Sequence, residues 1–160
     1  MTRSPARRTA HRAEDGTPSA LDATQAALAA EHAAVYGYGV VGGRIGDDRG
    51  QEVSEAFTAH RARRDTLHRT VRDLGGTPVA SAAAYALPFE VTDEAGAVRL
   101  AGELETRLAA AYADLVEAGP AEERGDAASA LSEAAVRAAR WSGAPVPFPG
   151  LPEYAADGSR

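Results

Sequence analysis

The chain has 160 residues, of which 44% are hydrophobic and 25% are charged, a composition typical of one globular domain with a continuous core. It contains no cysteine, which excludes disulfides, thiolate metal sites and cysteine nucleophiles. The formal net charge is −6, and an acidic body argues against a nucleic-acid-binding surface, because phosphate contacts need a basic face.

Residues 1–18 mix arginine, proline and glycine without hydrophobic periodicity, so they are predicted to form a disordered tail. No apolar run approaches the roughly 20 residues of a membrane span, and no apolar segment of a signal peptide follows the first arginines. We therefore expect a cytoplasmic protein that does not associate with membranes.

Helical periodicity dominates the rest of the chain. Ser19 or Asp22 can cap a first helix, and Gly75 with Gly76 can end the second. The four predicted helices span approximately residues 19–44, 51–74, 94–117 and 121–141.

The connections between the helices predict the topology. Two short turns make helices 1 and 2 antiparallel neighbours, and likewise helices 3 and 4. The connection over residues 75–93 is long enough to cross a helix of about 24 residues, which measures about 36 Å. We predict an all-α, ferritin-like four-helix bundle of two antiparallel hairpins joined by a long crossover. Residues 19–153 would form this domain with an extended Pro-rich C-terminal strap, and residues 154–160 a flexible end.

Four segments of the chain resemble an actinobacterial ferritin-like domain family of unknown function. They are "LAAEHAAVYGYGVVGGR", "AHRARRDTLHRTVRDLGGTPVASAAAYALP", "LAGELETRLAAAYADLV" and "RAARWSG…FPGLPE", so the resemblance covers roughly residues 19–153. It implies a ferritin-like four-helix fold and carries no established reaction.

The apolar stripes of three helices include ionisable residues at mid-height. On helix 2, steps of three and four residues pass through His60 and Arg64, while Glu31 lies on the stripe of helix 1 and Glu105 on that of helix 3. Ferritin-like oxidases hold two irons with a Glu on each of two helices and a Glu-x-x-His on each of the other two. Glu31, His60 and Glu105 match part of that ligand set.

The rest of the ligand set is missing. Phe57 stands three residues before His60, where a carboxylate is required, and helix 4 contains no histidine. Glu133 on helix 4 is expected to face away from the bundle centre. An arginine repels a metal cation and pairs with carboxylates. We therefore interpret the polar layer as a buried ionic cluster that replaces the di-iron site, formed by Glu31, His60, Arg64 and Glu105.

Two alternatives stay open. In the first, Glu31, His60 and Glu105, with His32 or His68 as a further ligand, would hold iron or another divalent metal in an oxidoreductase or iron-handling protein. In the second, the layer would be a polar pocket for a small organic ligand. No catalytic residue is predicted, since the chain lacks the common nucleophile and nucleotide motifs. We expect a non-catalytic interaction or structural protein, a homodimer through small-residue helix surfaces, with no nucleic acid among its partners.

Overall fold

The computed structural model describes residues 18–145, 149 and 151. Within these residues it contains four α-helices, two short 3-10 turns and no strand, so the predicted all-α four-helix bundle is confirmed. The helices are α1 (Ala20–Gly42), α2 (Gly50–Asp73), α3 (Glu94–Ala118) and α4 (Arg124–Ser142), and the turns are Asp47–Arg49 and Ala121–Glu123.

Local sequence signals begin and end these helices. Ser19 is the N-cap of α1 and forms a reciprocal capping box with Asp22. After α2, Gly75 adopts a left-handed conformation with φ 80°. The amides of Gly75 and Gly76 bond back to the last turn of α2, which is the Schellman arrangement. The sequence therefore sets these two helix ends without help from tertiary contacts.

The crossover segment (residues 74–93) runs along α1 from one end of the bundle to the other. Near the start of α1, Gln25 exchanges two hydrogen bonds with the backbone of Thr77 and Val79. Farther along, the rings of Tyr36 and Tyr85 lie 5.6 Å apart. The segment thus returns the chain to the end where α1 finishes, so α3 runs antiparallel to α1.

The hydrophobic core is divided into two clusters by a polar layer. The lower cluster, at the end of the bundle where α1 begins, surrounds Leu28, Leu67 and Leu108. The upper cluster, at the end where α1 finishes, surrounds Val41 and Leu100. Glu31, His60 and Glu105 are buried at the level between them, although they belong to neither apolar cluster. The layer is completely removed from solvent, so every charge in it requires a partner inside the protein.

Several predictions concern residues outside the described part of the chain. Residues 1–17 of the predicted tail, most of the Pro-rich C-terminal strap and residues 154–160 lie there. In the part of the chain that the structure describes, no helix is long and apolar enough to cross a bilayer.

Candidate functional site

His60 lies at the centre of the bundle between two buried carboxylates. Its Nδ1 is 2.9 Å from Oε2 of Glu31 on α1, and its Nε2 is 3.0 Å from Oε1 of Glu105 on α3. His60 is 1% exposed and both glutamates are 0% exposed. The structure thus brings together three of the four residues of the predicted cluster, each from the buried stripe of a different helix.

Two tyrosines donate hydrogen bonds to the buried carboxylates, each from α1 or α3 to the glutamate of the other helix. The hydroxyl of Tyr38 on α1 donates to Oε1 of Glu105 on α3, and the hydroxyl of Tyr112 on α3 donates to Oε1 of Glu31 on α1, each at 2.5 Å. Each tyrosine follows the glutamate of its own helix by seven residues. Because the two helices are antiparallel, equal spacing on both gives each tyrosine the glutamate of the other helix.

The hydrogen-bonded chain continues to α4. Nε1 of Trp141 donates to the Tyr38 hydroxyl at 3.1 Å, and the Tyr38 ring stacks on His60 with centroids 5.1 Å apart. The polar layer therefore links side chains from all four helices, and Trp141, the only tryptophan, reports on it.

Hydrogen-bond accounting sets the charge of His60. A carboxylate that is ionised only accepts hydrogen bonds, so His60 meets both glutamates in that form when both ring nitrogens are protonated, as an imidazolium. Burial acts to lower the pKa of His60, but the hydrogen bonds to Glu105 and Glu31 outweigh it and raise the pKa. Burial, and then the charges of the glutamates, raise the pKa of Tyr38 and of Tyr112, so both hydroxyls stay protonated donors.

Arg64 does not belong to the cluster in the structure, which corrects the sequence interpretation. Its Nη2 lies 2.6 Å from the carboxylate of Asp65, its neighbour in the chain, and its side chain is 25% exposed. The arginine of α2 that pairs with another helix is Arg63, whose Nη2 reaches Oε2 of Glu133 on α4 at 2.6 Å, and this pair lies outside the buried cluster. At about 100° per residue, Arg63 and Arg64 lie roughly 60° and 40° to opposite sides of His60.

Glu133 faces outward, as the sequence predicts, with a side chain that is 51% exposed. Its carboxylate nevertheless accepts from both Arg63 and Arg137, the latter at 3.4 Å. The hydrogen bond from Arg63 lowers the pKa of Glu133. These residues form a second polar layer beside the first.

The two layers together are electrically neutral. Three carboxylates face three cations when His60 is protonated, namely Glu31, Glu105 and Glu133 against His60, Arg63 and Arg137. The charge of Arg63 acts on the pKa of Tyr112, and that of Arg137 on the pKa of Tyr38. The outer arginines therefore offset the excess negative charge of the buried layer.

The residues present do not fit a metal ion in this arrangement. A histidine ligand must offer a nitrogen lone pair, and a protonated His60 offers none, because each of its ring nitrogens faces a carboxylate oxygen. Among the residues that the structure describes, no group of three or more potential ligands is arranged to hold a metal. The inward face of α4 consists of alanines and Trp141, and Phe57 stands where a further carboxylate would be needed.

The other two histidines of the bundle lie outside the cluster. Nε2 of His32 is 3.1 Å from the carbonyl oxygen of Val79 in the crossover segment, so this residue attaches the segment to α1. His68 is half-buried on α2, two turns beyond His60.

The sequence interpretation missed the tyrosines, Trp141 and the pair of Arg63 with Glu133. One signal for the tyrosines was available, since Glu-x6-Tyr occurs once on each of two helices that were predicted to be central. No comparable signal identifies Arg63, because Arg63 and Arg64 are adjacent and differ only in the side of the helix that they face.

Comparisons with known proteins agree with this fold and name no activity. The model of a family described as a domain of unknown function (DUF4439) matches residues 23–153. The chain is also similar to a solved structure, a conserved hypothetical protein, rv2844, from Mycobacterium tuberculosis. The two share 40% sequence identity with a TM-score of 0.73, over 75% of this chain and 92% of that one. No curated protein matches the chain.

Proposed function

Because the chain belongs to the family described as a domain of unknown function (DUF4439), we propose from its own geometry that it is a non-catalytic, ferritin-like scaffold. In this proposal the Glu31–His60–Glu105 cluster occupies the place where ferritin-like oxidases hold two irons. The observation that carries the proposal is that both ring nitrogens of His60 lie within hydrogen-bond distance of a buried carboxylate, so that a protonated His60 would donate to both and offer a metal no lone pair.

The cluster suits a structural role better than a chemical one. A buried ionic group contributes little net stability relative to apolar packing, but its hydrogen bonds are satisfied in only one register of the helices. The reciprocal pairing of Tyr38 with Glu105 and of Tyr112 with Glu31 holds α1 and α3 at one relative height. The scaffold would thereby present a fixed outer surface to a protein partner.

One observation favours the alternative, a metal-binding ferritin-like protein of the oxidoreductase or iron-handling type. Oε2 of Glu105 is buried and has no hydrogen-bond partner among the residues that the structure describes, and such an oxygen is able to ligate a cation. A site that also used His60 as a ligand would require His60 to lose a proton and to break one of its hydrogen bonds. The raised pKa of His60 opposes that loss.

Elemental analysis of the untagged protein tests the proposal, both as purified and after anaerobic loading with Fe(II). We expect no stoichiometric metal in either sample. Near-stoichiometric iron that disappears in the Glu31→Gln/Glu105→Gln variant would overturn the scaffold and establish the metal-binding alternative. An Arg64→Gln variant is the matched control, because it changes one charge on α2 outside the cluster.

The protonation state of His60 gives a second, independent test. Long-range ¹H–¹⁵N correlation spectra at neutral pH should show two protonated ring nitrogens for one histidine, and this signal should vanish in a His60→Gln variant. A neutral His60 with one free lone pair would favour the metal-binding alternative.

Two further expectations belong to the same proposal. The chain would form a homodimer through the outer surface of its helices, where Val136 of α4 is 50% exposed, and it would act in the cytoplasm. Light scattering across a range of concentrations measures the first, and a mass equal to one chain at all of them would contradict it.

A further inference from the structure

One side of the bundle is open. The pairs α1–α2, α1–α3 and α3–α4 pack closely along their lengths, whereas a groove of about 390 Å³ separates α2 from α4. Several of the lining residues are alanines, with Ala62 on α2 and Ala127 and Ala130 on α4, and their small side chains leave space between the two helices. A groove of this volume matches the size of small-molecule sites in proteins.

The floor of the groove is apolar. Leu67 from α2 and Leu115 from α3 line it, together with the ring of Tyr112, whose hydroxyl points away to Glu31. An aromatic or aliphatic body would bury apolar surface there, at roughly 25 cal/mol for each Å² removed from water.

Negatively charged groups outnumber positively charged groups along the groove. Three carboxylates and one cation line it, so the formal sum is 1 − 3 = −2, from Arg63 against Glu123, Asp126 and Glu133. At the upper end of the groove, the charges of Arg63 and Glu133 cancel in their ion pair. At the lower end, Glu123 accepts from the Thr70 hydroxyl across the groove at 3.2 Å, and Asp126 lies on the first turn of α4. Within the part of the chain that the structure describes, no arginine or histidine lines this end.

We propose that the groove between α2 and α4 binds a small organic cation, an ammonium group on an apolar body. The ammonium would lie between the carboxylates of Glu123 and Asp126, and the apolar body would lie over Leu67, Leu115 and the Tyr112 ring. An anion of the same shape would meet the carboxylates of Glu123 and Asp126, and Arg63, the one cation of the lining among the described residues, is already paired with Glu133.

This inference goes beyond the scaffold function and does not depend on it, because Glu123 and Asp126 lie outside the buried cluster. Iron found at the cluster would leave the groove unchanged. Equally, failure of the groove to bind a cation would leave the metal analysis unaffected.

The experiment uses two probes with the same apolar body and opposite charge, phenethylammonium and 3-phenylpropionate, in calorimetric titrations of the full chain. We expect saturable binding of phenethylammonium that weakens with added salt, and no saturable binding of 3-phenylpropionate. The Glu123→Gln/Asp126→Asn variant should weaken ammonium binding at least about tenfold, since hydrogen bonds to charged groups are worth a factor of this size.

Glu122→Gln is the matched control. Glu122 is exposed, is adjacent to Glu123 in the same 3-10 turn, and does not line the groove, so its loss should leave the affinity unchanged. All three carboxylates lie near the surface, and circular dichroism would verify that the variants fold. Equal binding of both probes, no binding of the ammonium, or equal weakening by Glu122→Gln would each overturn the proposal. So would a dimer that covers the groove and excludes the ammonium.

Discussion

Replacement of His60 by leucine tests whether the centre of the bundle is held by charge. Leucine has a similar size to histidine, so the packing volume is nearly conserved. The change leaves Glu31 and Glu105 fully buried, each with one tyrosine donor and without its imidazolium partner. Breaking a buried ionic group by removing one member costs about 3–5 kcal/mol.

A triple variant, Glu31→Gln/His60→Leu/Glu105→Gln, isolates the contribution of charge. Glutamine keeps a side-chain oxygen that accepts from each tyrosine, and its buried amide NH2, although it lacks an acceptor, costs less than an unpaired charge. We expect the triple variant to lose about 2–3 kcal/mol, for the unpaired amide groups and the deleted hydrogen bonds. It should therefore be more stable than the single variant, although it carries three substitutions.

Urea unfolding followed by circular dichroism and by Trp141 fluorescence measures both variants. The His60→Leu variant should lose about 3–5 kcal/mol in the free energy of unfolding at unchanged m-value. Its melting temperature should fall by roughly 10 °C or more for a chain of this size. If the single and triple variants lost the same free energy within about 0.5 kcal/mol, the layer would be uncharged and our account of it would be wrong.

Three further predictions follow from individual contacts. Arg63→Met should lower the free energy of unfolding by about 1 kcal/mol because it removes the ion pair with α4, while Arg64→Met should change it by no more than about 0.5 kcal/mol. A larger loss for Arg64→Met in urea unfolding would show that Arg64 belongs to the buried cluster, as the sequence predicts. Because the folded-state pKa of His60 lies above its ordinary value of 6.5, its stabilisation is complete below pH 6.5. It is lost as the pH rises toward the raised pKa, at up to about 1.4 kcal/mol per pH unit. The free energy of unfolding, measured at several pH values, should fall in this way for the wild type and not for the triple variant. Gly39→Ala should stabilise α1 by about 0.5–1 kcal/mol, since nothing lies within 4 Å of the added methyl group. Gly37→Ala should not give this stabilisation, because its methyl group would lie 2.5 Å from a leucine of α3. Equal melting temperatures for the two variants would contradict the close approach of α1 and α3.

The sequence by itself determined the helices, their order and the three residues at the centre. Hydrophobic periodicity and the end signals at Ser19 and Gly75 act within a few residues, so they are readable without a fold. The long crossover follows from chain length, and it places α1 and α3 in contact. Glu31, His60 and Glu105 were identified because each lies near the middle of the apolar stripe of its helix.

Only the tertiary structure decided which groups those residues meet. Arg63 and Arg64 flank the same stripe, and the choice between them depends on which side of α2 faces α4, a direction that periodicity does not encode. The tyrosines gained their partners because α1 and α3 pack antiparallel at one relative height. The groove exists because small side chains of α2 and α4 face each other across the bundle. Each of these features depends on contacts between helices, and a single helix carries no information about the side chains of its neighbours.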